Sequence, residues 1–306
     1  MDLNALVAPQ DAALSSQAVL RGDERSLIKR PYPAGKSFST PDKLRLAARA
    51  PMLGTMILSL KRTIALAKKP PRFGAKAMTP EDYRALLALA ERLGVATLRW
   101  LRVPGRIVYQ GKGIPYPNAL FLGFAMDRRA FAQAPCMDAQ LEVMKIYGKS
   151  GAAANELAAF LRSRGYDAAP NHSLGGSVDY ACAGQEAGAG RIGRHGMLIS
   201  PENGACHRSS IVYLNAENLG ELFPPAADHG WVAAFCARCG ACVRACPTKA
   251  IREEALPDGQ GNYGCVDYER CAAGFASYGC GVCIKVCPFT NIGYAALKAR
   301  FAPATR

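Results

Sequence analysis

Apolar residues recur at helical spacing in three stretches of the chain, and each stretch is framed by residues that start or stop helices. The predicted helices run from Thr40 to about Leu66, from Pro80 to Leu93 and from Ala152 to Arg164. Thr79 is expected to cap the second helix, because its hydroxyl can accept a free backbone N–H and Pro80 suits the first helical position.

Shorter apolar runs between the helices predict strands at residues 96–103, 118–126, 197–200 and 209–214. Strands and helices alternate between residues 79 and 215, which predicts a mixed α/β layer structure. Residues 1 to 40 hold few periodic apolar positions and include Pro31-Tyr32-Pro33-Ala34-Gly35, so this arm is predicted to be irregular.

Length and composition indicate a folded globular protein. The chain has 306 residues, of which 50% are hydrophobic and 20% charged. No apolar run approaches the roughly 20 residues that a membrane helix needs. No basic stretch followed by an apolar core begins at Met1, so we expect no secretory signal, no membrane partner and a cytoplasmic location. In that compartment the clustered ones among the 12 cysteines are expected to bind metal rather than to form disulfides.

Charge is unevenly distributed along the chain. The formal net charge is +14, and residues 1–75 carry 13 Lys/Arg against 5 Asp/Glu. A basic balance suits an acidic redox partner, a phosphorylated ligand or nucleic acid, and a merely solvated basic surface is the alternative. Together with the shift in composition near Trp231, this predicts three parts: a basic extension (1–75), an α/β domain (76–230) and a cysteine-rich region (231–306).

The cysteine-rich region carries the strongest chemical signal. Its spacing is C-x2-C-x2-C-x3-C-P, followed later by C-x2-C-x3-C-P, which is typical of bacterial ferredoxins with two [4Fe–4S] clusters. The cysteines concerned are Cys236, Cys239, Cys242, Cys246, Cys280, Cys283 and Cys287. The second motif lacks its first cysteine, and Cys271 can supply that ligand from upstream.

In such motifs the cysteine before proline serves the other cluster. We therefore predict that Cys287 completes the first quartet with Cys236, Cys239 and Cys242. The second quartet is Cys246, Cys271, Cys280 and Cys283, with Cys265 as an alternative to Cys271. A zinc site is the alternative use of such thiolates.

A glycine segment lies upstream of these cysteines: Gly188-Ala189-Gly190-Arg191-Ile192-Gly193-Arg194-His195-Gly196, continuing to Pro201-Glu202-Asn203-Gly204. Followed by an incomplete second cysteine motif, it resembles the corrinoid iron–sulfur reductases, which are the reductive dehalogenases and the epoxyqueuosine reductases. Ala189 and Arg191 depart from the pattern of that family. The Asp-Ser-x-Pro stretch that carries the acid of epoxyqueuosine reductases is also absent; Asn171-His172-Ser173-Leu174 stands at about that place.

The resemblance implies a nitroreductase-like α/β domain that binds cobalamin, followed by a ferredoxin-like domain with two [4Fe–4S] clusters. The residues expected to contact the corrinoid are Gly188, Gly190, Gly193, Arg194, His195 and Gly196, with His207 as a further candidate for its side chains. Glycines there permit tight turns and a close approach of the backbone to a large, flat ligand.

Reductive cleavage needs a proton beside the cobalt, and dehalogenases use a Tyr assisted by a nearby cation. The stretch before the glycine segment offers Tyr180 as the predicted proton donor, with Arg208 or Arg194 as the cation that would lower its pKa. His172 is a second candidate, as proton donor or lower cobalt ligand.

The predicted function is a cobalamin-dependent reductase that removes halide or oxygen from a small organic molecule. Its electrons would come from a ferredoxin, a flavodoxin or a reductase. The alternatives are an iron–sulfur electron-transfer protein without cobalamin and a tRNA-modifying enzyme like the epoxyqueuosine reductases. In the latter the basic residues 21–76 would bind tRNA phosphates.

Overall fold

The structure of this protein, a computed structural model, describes residues 2–31, 39–257, 263–274 and 280–301, of which residues 255–257 and 263 are described by their backbone alone. The helices are α1 (Leu3–Ser16), α2 (Thr40–Ala47), α3 (Ala50–Ala67), α4 (Pro80–Arg92), α5 (Met137–Ser163), α6 (Tyr180–Glu186), α7 (Leu219–Leu222), α8 (Trp231–Cys239), α9 (Ala241–Ala245), α10 (Tyr268–Gly274), α11 (Val282–Lys285), α12 (Pro288–Asn291) and α13 (Tyr294–Phe301). The strands are β1 (Leu20–Arg21), β2 (Thr97–Arg102), β3 (Gly113–Ile114), β4 (Asn118–Ala125), β5 (Ala168–Asn171), β6 (Arg191–Ile192), β7 (Leu198–Ile199), β8 (His207–Leu214), β9 (Ile251–Pro257) and β10 (Tyr263–Val266).

A four-stranded sheet in the order β2-β4-β8-β5 forms the centre of the molecule, and all its pairings are antiparallel. Seven of the eight residues of β4 are buried, because helices cover both faces of the sheet. One face packs on α5 through Val212 and Leu214, and the opposite face packs on α6 through Ile211 and Tyr213. The predicted mixture of helix and sheet is confirmed, in an α+β arrangement.

Helix α4 confirms the prediction made from its flanking residues. It begins at Pro80, and the Thr79 side chain accepts a hydrogen bond from the N–H of Asp82. The helix predicted from Ala152 proved to be much longer, because α5 already begins at Met137. Gly148 and Gly151 concealed its first half, since glycine weakens a helical pattern. A methyl group at Gly151 would lie 2.0 Å from the ring of His172, so glycine is required there for packing.

The arm at residues 1–40 was predicted to be irregular, and this prediction is wrong for residues 3–16, which form α1. Asp2 caps this helix by accepting a hydrogen bond from the N–H of Asn4. Burial of Val7 and Leu14 stabilises it, although Pro9 interrupts its backbone hydrogen bonds. The sequence Pro31 to Gly35 falls mostly outside the described residues. The single helix predicted from Thr40 to Leu66 is divided into α2 and α3.

The cysteine-rich region consists of short helices and the β9-β10 hairpin, packed against the α+β domain. Its two Cys-Gly-x-Cys sequences fold alike: Gly240 and Gly281 both adopt the left-handed conformation, with φ of 56° and 63°. A residue with a side chain is disfavoured in that conformation. Each glycine directly precedes a short helix, α9 or α11, that carries the second cysteine of its motif. Among the described helices, none has the length and apolar character needed to span a membrane.

Candidate functional site: two thiol quartets and a tyrosine-lined cleft

The structure brings the first predicted quartet together. Cys236, Cys239, Cys242 and Cys287 line one small cavity between α8, α9 and the turn before α12. Backbone N–H groups point at these sulfurs: that of Arg194 donates to Cys236, and those of Phe289 and Thr290 donate to Cys287. Hydrogen bonds of this N–H···S kind are one means by which proteins set the reduction potential of an iron–sulfur cluster. Phe235 and His195 close the cavity.

Burial raises the pKa of three of these thiols, those of Cys236, Cys242 and Cys287. Burial, followed by the neighbouring Cys236 and Cys239, raises the pKa of Cys242 to about 11. Burial also raises the pKa of Cys287 to about 12, against the effect of its two N–H donors. A bound metal reverses this balance, because a coordinating thiol is deprotonated outright. The four thiols of this quartet are therefore soft ligands that a bound metal would convert to thiolates.

The second quartet also gathers, and it contains Cys271. Cys271 lies beside Cys280 and Cys246, and Cys283 lies beside Cys280 and Cys271. Burial, followed by the neighbouring Cys280 and Cys271, raises the pKa of Cys283 to about 12. For Cys246, burial opposes ionisation, but hydrogen bonds from Thr248 and from the N–H groups of Ala250 and Ile251 outweigh it and lower the pKa.

Cys265 occupies a different place from Cys271. Its neighbours are Arg194 and Cys236 rather than the second quartet. It also belongs to the wall of a cleft, described below. Of the two alternatives for the eighth ligand, the fold thus brings only Cys271 to the second quartet.

The cleft has a volume of about 650 Å³, which lies within the range of small-molecule sites. One wall comes from α6 and the glycine segment, at Ile192 and Gly196, and another from the cysteine-rich region, at residues 264–266. Four tyrosines line it: Tyr109, Tyr147, Tyr180 and Tyr268. The cleft thus lies between the α+β domain and the second half of the cysteine-rich region.

Tyr180 lies in the cleft wall at the first turn of α6, and its hydroxyl donates a hydrogen bond of 2.8 Å to the carbonyl oxygen of His172. The ring of His172 is instead enclosed in the domain. Its Nε2 lies 2.9 Å from Ser59 Oγ, and its Nδ1 accepts the N–H of Leu174. Burial lowers the pKa of His172 to about 3. This residue is therefore a neutral packing histidine, and we give it no role in the reaction or as a cobalt ligand.

Arg208 and Tyr180 lie on opposite faces of the central sheet. Arg208 shares the face of Val212 and Leu214, because side chains alternate along a strand, whereas Tyr180 packs with Ile211 and Tyr213. Arg208 lies near Cys283 and Cys206 instead. The fold therefore does not supply the expected pairing of Arg208 with Tyr180. Arg194, the other expected cation, lies at the first quartet, where its N–H donates to Cys236, and it does not line the cleft with Tyr180.

The glycine segment packs mainly against protein rather than against an open ligand site. A methyl group at Gly190 would lie 2.1 Å from the carbonyl oxygen of Ile199, and one at Gly188 would lie 2.6 Å from Ala226. One at Gly193 would lie 2.6 Å from the Ile199 side chain. Of the predicted corrinoid contacts, only Gly196 borders the cleft, with a φ of 75°. The close approach for which these glycines are needed is made by neighbouring backbone.

Two histidines, His195 in the glycine segment and His207 at the start of β8, are buried by this packing. His195 is 6% exposed, and its Nδ1 accepts the N–H of Met197. Burial, with His207 nearby, lowers the pKa of His195 to about 4. The ring of His207 is held by the carbonyl oxygen of Leu198, 2.9 Å from Nε2. Burial likewise lowers its pKa to about 4. Neither ring lines the cleft, contrary to the expectation that these two histidines contact the corrinoid.

A cation that sequence reasoning missed lies in the cleft. Lys29 lines it and donates to the carbonyl oxygen of Gly176 at 2.8 Å. The ammonium also pairs with Asp11, which is 3% exposed and lies 3.4 Å from Lys112. A methyl group at Gly176 would lie 2.8 Å from the Tyr180 hydroxyl, so Lys29 and Tyr180 adjoin the same residue. No local motif marks Lys29, because it reaches Gly176 across 147 positions of sequence.

The residues present fit the two groups unequally. The quartets offer soft sulfur ligands only, four to each site, with N–H donors directed at the sulfurs, which suits [4Fe–4S] clusters. The cleft offers a largely apolar, aromatic wall of the kind that covers part of a flat macrocycle, with Lys29 and Tyr180 as polar groups. The quartets therefore match two [4Fe–4S] clusters, whereas the cleft matches only part of a corrinoid.

Comparisons with known proteins agree with this geometry. Residues 235–291 match a family model described as a 4Fe–4S dicluster domain. The chain is 33% identical over 181 residues to the tetrachloroethene reductive dehalogenase of Desulfitobacterium hafniense, covering 54% of this chain and 32% of that protein. It is 36% identical over 124 residues to the epoxyqueuosine reductase of Synechococcus sp. (strain CC9605), covering 35% of this chain and 34% of that protein. The chain thus spans about a third of the length of these curated relatives.

The fold is also that of a solved reductive dehalogenase, for which a mechanism of B12-dependent dehalogenation has been suggested. The two structures align with a TM-score of 0.69 at 20% identity, over 83% of this chain and 39% of the other. The resemblance that the glycine segment and the cysteines indicated is therefore confirmed: in sequence and fold this chain is similar to the corrinoid iron–sulfur reductases.

Proposed function

We propose that this chain is a cobalamin-dependent reductase that uses two [4Fe–4S] clusters to cleave a halide or oxygen leaving group from a small organic molecule. The observation that carries the proposal is the cleft of about 650 Å³, whose walls combine the α+β domain, Gly196 of the glycine segment and the cysteine-rich region. A substrate in this cleft lies beside the second quartet, because Tyr268 in the wall neighbours Cys271.

In this proposal the two thiol quartets hold the clusters and the cleft holds the corrinoid. A bound corrinoid supplies a strongly reducing cobalt centre, and the clusters supply its electrons one at a time. Ile192, Gly196 and Val266 form the apolar part of the wall, which shields that chemistry from water. Substrate binding in a mostly apolar cleft favours a halogenated or oxygenated aromatic molecule.

The chain itself supplies the proton. Tyr180 is the proposed donor, since its hydroxyl lies in the cleft wall and is fixed by the carbonyl oxygen of His172. Lys29 takes the role that the sequence had suggested for Arg208 or Arg194. Its ammonium lies at the same residue, Gly176, and favours the tyrosinate left after proton transfer. Asp11 holds Lys29 in place without lining the cleft.

Iron and cobalt per chain test the proposal. The protein is produced with cobalamin, purified without oxygen and freed of loose cofactor by gel filtration. We expect about eight iron and about one cobalt, as two four-iron clusters and one corrinoid require. Cys242→Ala is expected to lose about half of the iron, whereas Cys206→Ala, at a buried thiol beside Met126, keeps it.

The outcomes separate the proposed function from its alternatives. A content of about eight iron atoms per chain without cobalt, even after reconstitution, would favour the alternative of an electron-transfer protein without cobalamin. Loaded protein that releases halide from halogenated phenols with a reduced ferredoxin or flavodoxin would support the reductase. Cobalt uptake with activity only on a tRNA stem loop would instead favour the epoxyqueuosine-reductase alternative.

A further inference from the structure

The glycine segment brings a second N–H group to the first quartet, besides the backbone of Arg194. His195 lines the same cavity as Cys236, Cys239, Cys242 and Cys287. Its Nε2 is fully buried and has no hydrogen-bond partner within the described protein. Leaving a buried polar group without a partner is destabilising, so such an atom calls for an explanation.

The proton on this nitrogen is fixed by the other side of the ring. Nδ1 accepts a hydrogen bond of 3.2 Å from the N–H of Met197, so in the neutral imidazole the proton is on Nε2. A methyl group at Gly193 would lie 3.0 Å from the His195 ring, which confines the ring on that side. His195 thus offers an N–H donor without a partner, and its ring belongs to the wall of the cavity that the four cysteines also line.

We propose that His195 donates a hydrogen bond from Nε2 to a sulfur of the cluster held by the first quartet and thereby raises the reduction potential of that cluster. Reduction adds negative charge to the cluster, and an N–H dipole directed at its sulfur stabilises the reduced form. This inference rests on the iron–sulfur part of the proposed function and is independent of cobalamin. It gives the glycine segment a role at the first cluster.

His207 is the competing partner. Its Nδ1 is buried without a hydrogen bond, while its Nε2 lies 2.9 Å from the carbonyl oxygen of Leu198. Because His207 lies near His195, its Nδ1 is an alternative acceptor for the N–H of His195. The test must therefore distinguish an N–H on the cluster from an N–H on a second imidazole.

Redox titration followed by electron paramagnetic resonance measures the potential of each cluster in matched variants. In His195→Leu we expect one cluster to shift to a more negative potential, with iron content unchanged. His195→Gln keeps an N–H donor at the position of Nε2 and is expected to restore most of the shift. His207→Gln is expected to leave both potentials where they are. Unchanged potentials in His195→Leu would overturn the proposal.

Isotope labelling covers the case in which His195→Leu fails to fold. The chain has only four histidines, so 15N-histidine labelling gives few signals. In the reduced wild-type protein we expect a weak coupling between 15N and one cluster, which disappears in His195→Gln. The absence of that coupling from a protein with about eight iron overturns the inference and leaves the proposed function intact. A chain that binds no iron overturns both.

Discussion

The hydroxyl of Tyr180 donates to the carbonyl oxygen of His172 at 2.8 Å, so one candidate proton donor holds the other by its backbone. The side chains point to different places: Tyr180 to the cleft, and His172 to Ser59 in the interior. The two residues are therefore not equivalent. Of the two, only Tyr180 presents its side chain to the cleft, and it is therefore the proton donor that we propose.

Replacing Tyr180 is expected to slow turnover strongly without loss of cofactor. Tyr180→Phe removes the proton but keeps the ring, and general acids contribute about 10²- to 10⁴-fold to rates. We expect a loss of this size in kcat, with iron and cobalt unchanged. Tyr83→Phe, on α4 and in contact with Phe223, is the control and is expected to retain activity. Full activity of Tyr180→Phe would move the proton donor to Tyr109 or Tyr268.

Two lysines bound to the same carboxylate give a matched pair for the proposed cation. Lys29 and Lys112 both pair with Asp11, but only Lys29 lines the cleft. Lys29→Met removes the charge that favours tyrosinate, so the pKa of Tyr180 rises and the alkaline limb of the pH–rate profile shifts to higher pH. The rate at neutral pH falls because the acid is weaker. Lys112→Met is expected to leave the profile in place, and equal shifts in the two variants would contradict the assignment.

Cys271 and Cys265 separate the two assignments of the eighth ligand. Cys271 lies beside Cys246 and Cys280, whereas Cys265 lies beside Arg194. Cys271→Ser is therefore expected to weaken or remove the second cluster, so that iron falls from about eight towards about four per chain. Cys265→Ser is expected to keep all its iron. Iron analysis with electron paramagnetic resonance of the reduced protein decides, and iron loss confined to Cys265→Ser would reverse the assignment.

The parts of this site that could be predicted are those encoded by local spacing. Each Cys-Gly-x-Cys places its thiols through one left-handed glycine, Gly240 or Gly281, so the grouping follows from neighbouring residues. The cap at Thr79 is equally local. Lys29 reaches the cleft through a contact with Gly176, far along the chain, and no pattern near either residue announces it.

Two of the differences have a physical origin that is visible only in three dimensions. The face of Arg208 follows from strand alternation, but which face meets α6 depends on how the sheet packs. The glycine segment has the composition of a ligand loop, yet its glycines meet Ile199 and Ala226. A glycine indicates that another group lies close to the backbone, but the sequence does not show whether that group is a ligand or a neighbouring part of the protein.

Gly190→Ala tests whether the glycine segment serves packing or a ligand. Its methyl group would lie 2.1 Å from the carbonyl oxygen of Ile199, so we expect destabilisation by about 1–3 kcal/mol, as for overpacked sites. A methyl group at Gly54, inside α3, meets no described atom within 4 Å. Gly54→Ala is therefore expected to stabilise the protein by about 0.5–1 kcal/mol. Thermal unfolding measures both; a Gly190→Ala protein of normal stability that has lost only cobalt would restore the ligand interpretation.

Burial of His172 predicts a loss of stability in mild acid. Its pKa is lowered by burial to about 3 in the folded chain, against about 6.5 when unfolded. Below pH 6.5 the unfolded chain takes up a proton that the folded chain does not, so the stabilisation is complete above pH 6.5 and decreases as the pH falls towards 3. The slope for one histidine approaches about 1.4 kcal/mol per pH unit.

His172→Gln retains a partner for Ser59 but has no such titration. Thermal unfolding between pH 7 and pH 4.5 should show the wild-type protein losing stability more steeply than the variant. Parallel curves would mean that His172 takes up its proton within the folded protein.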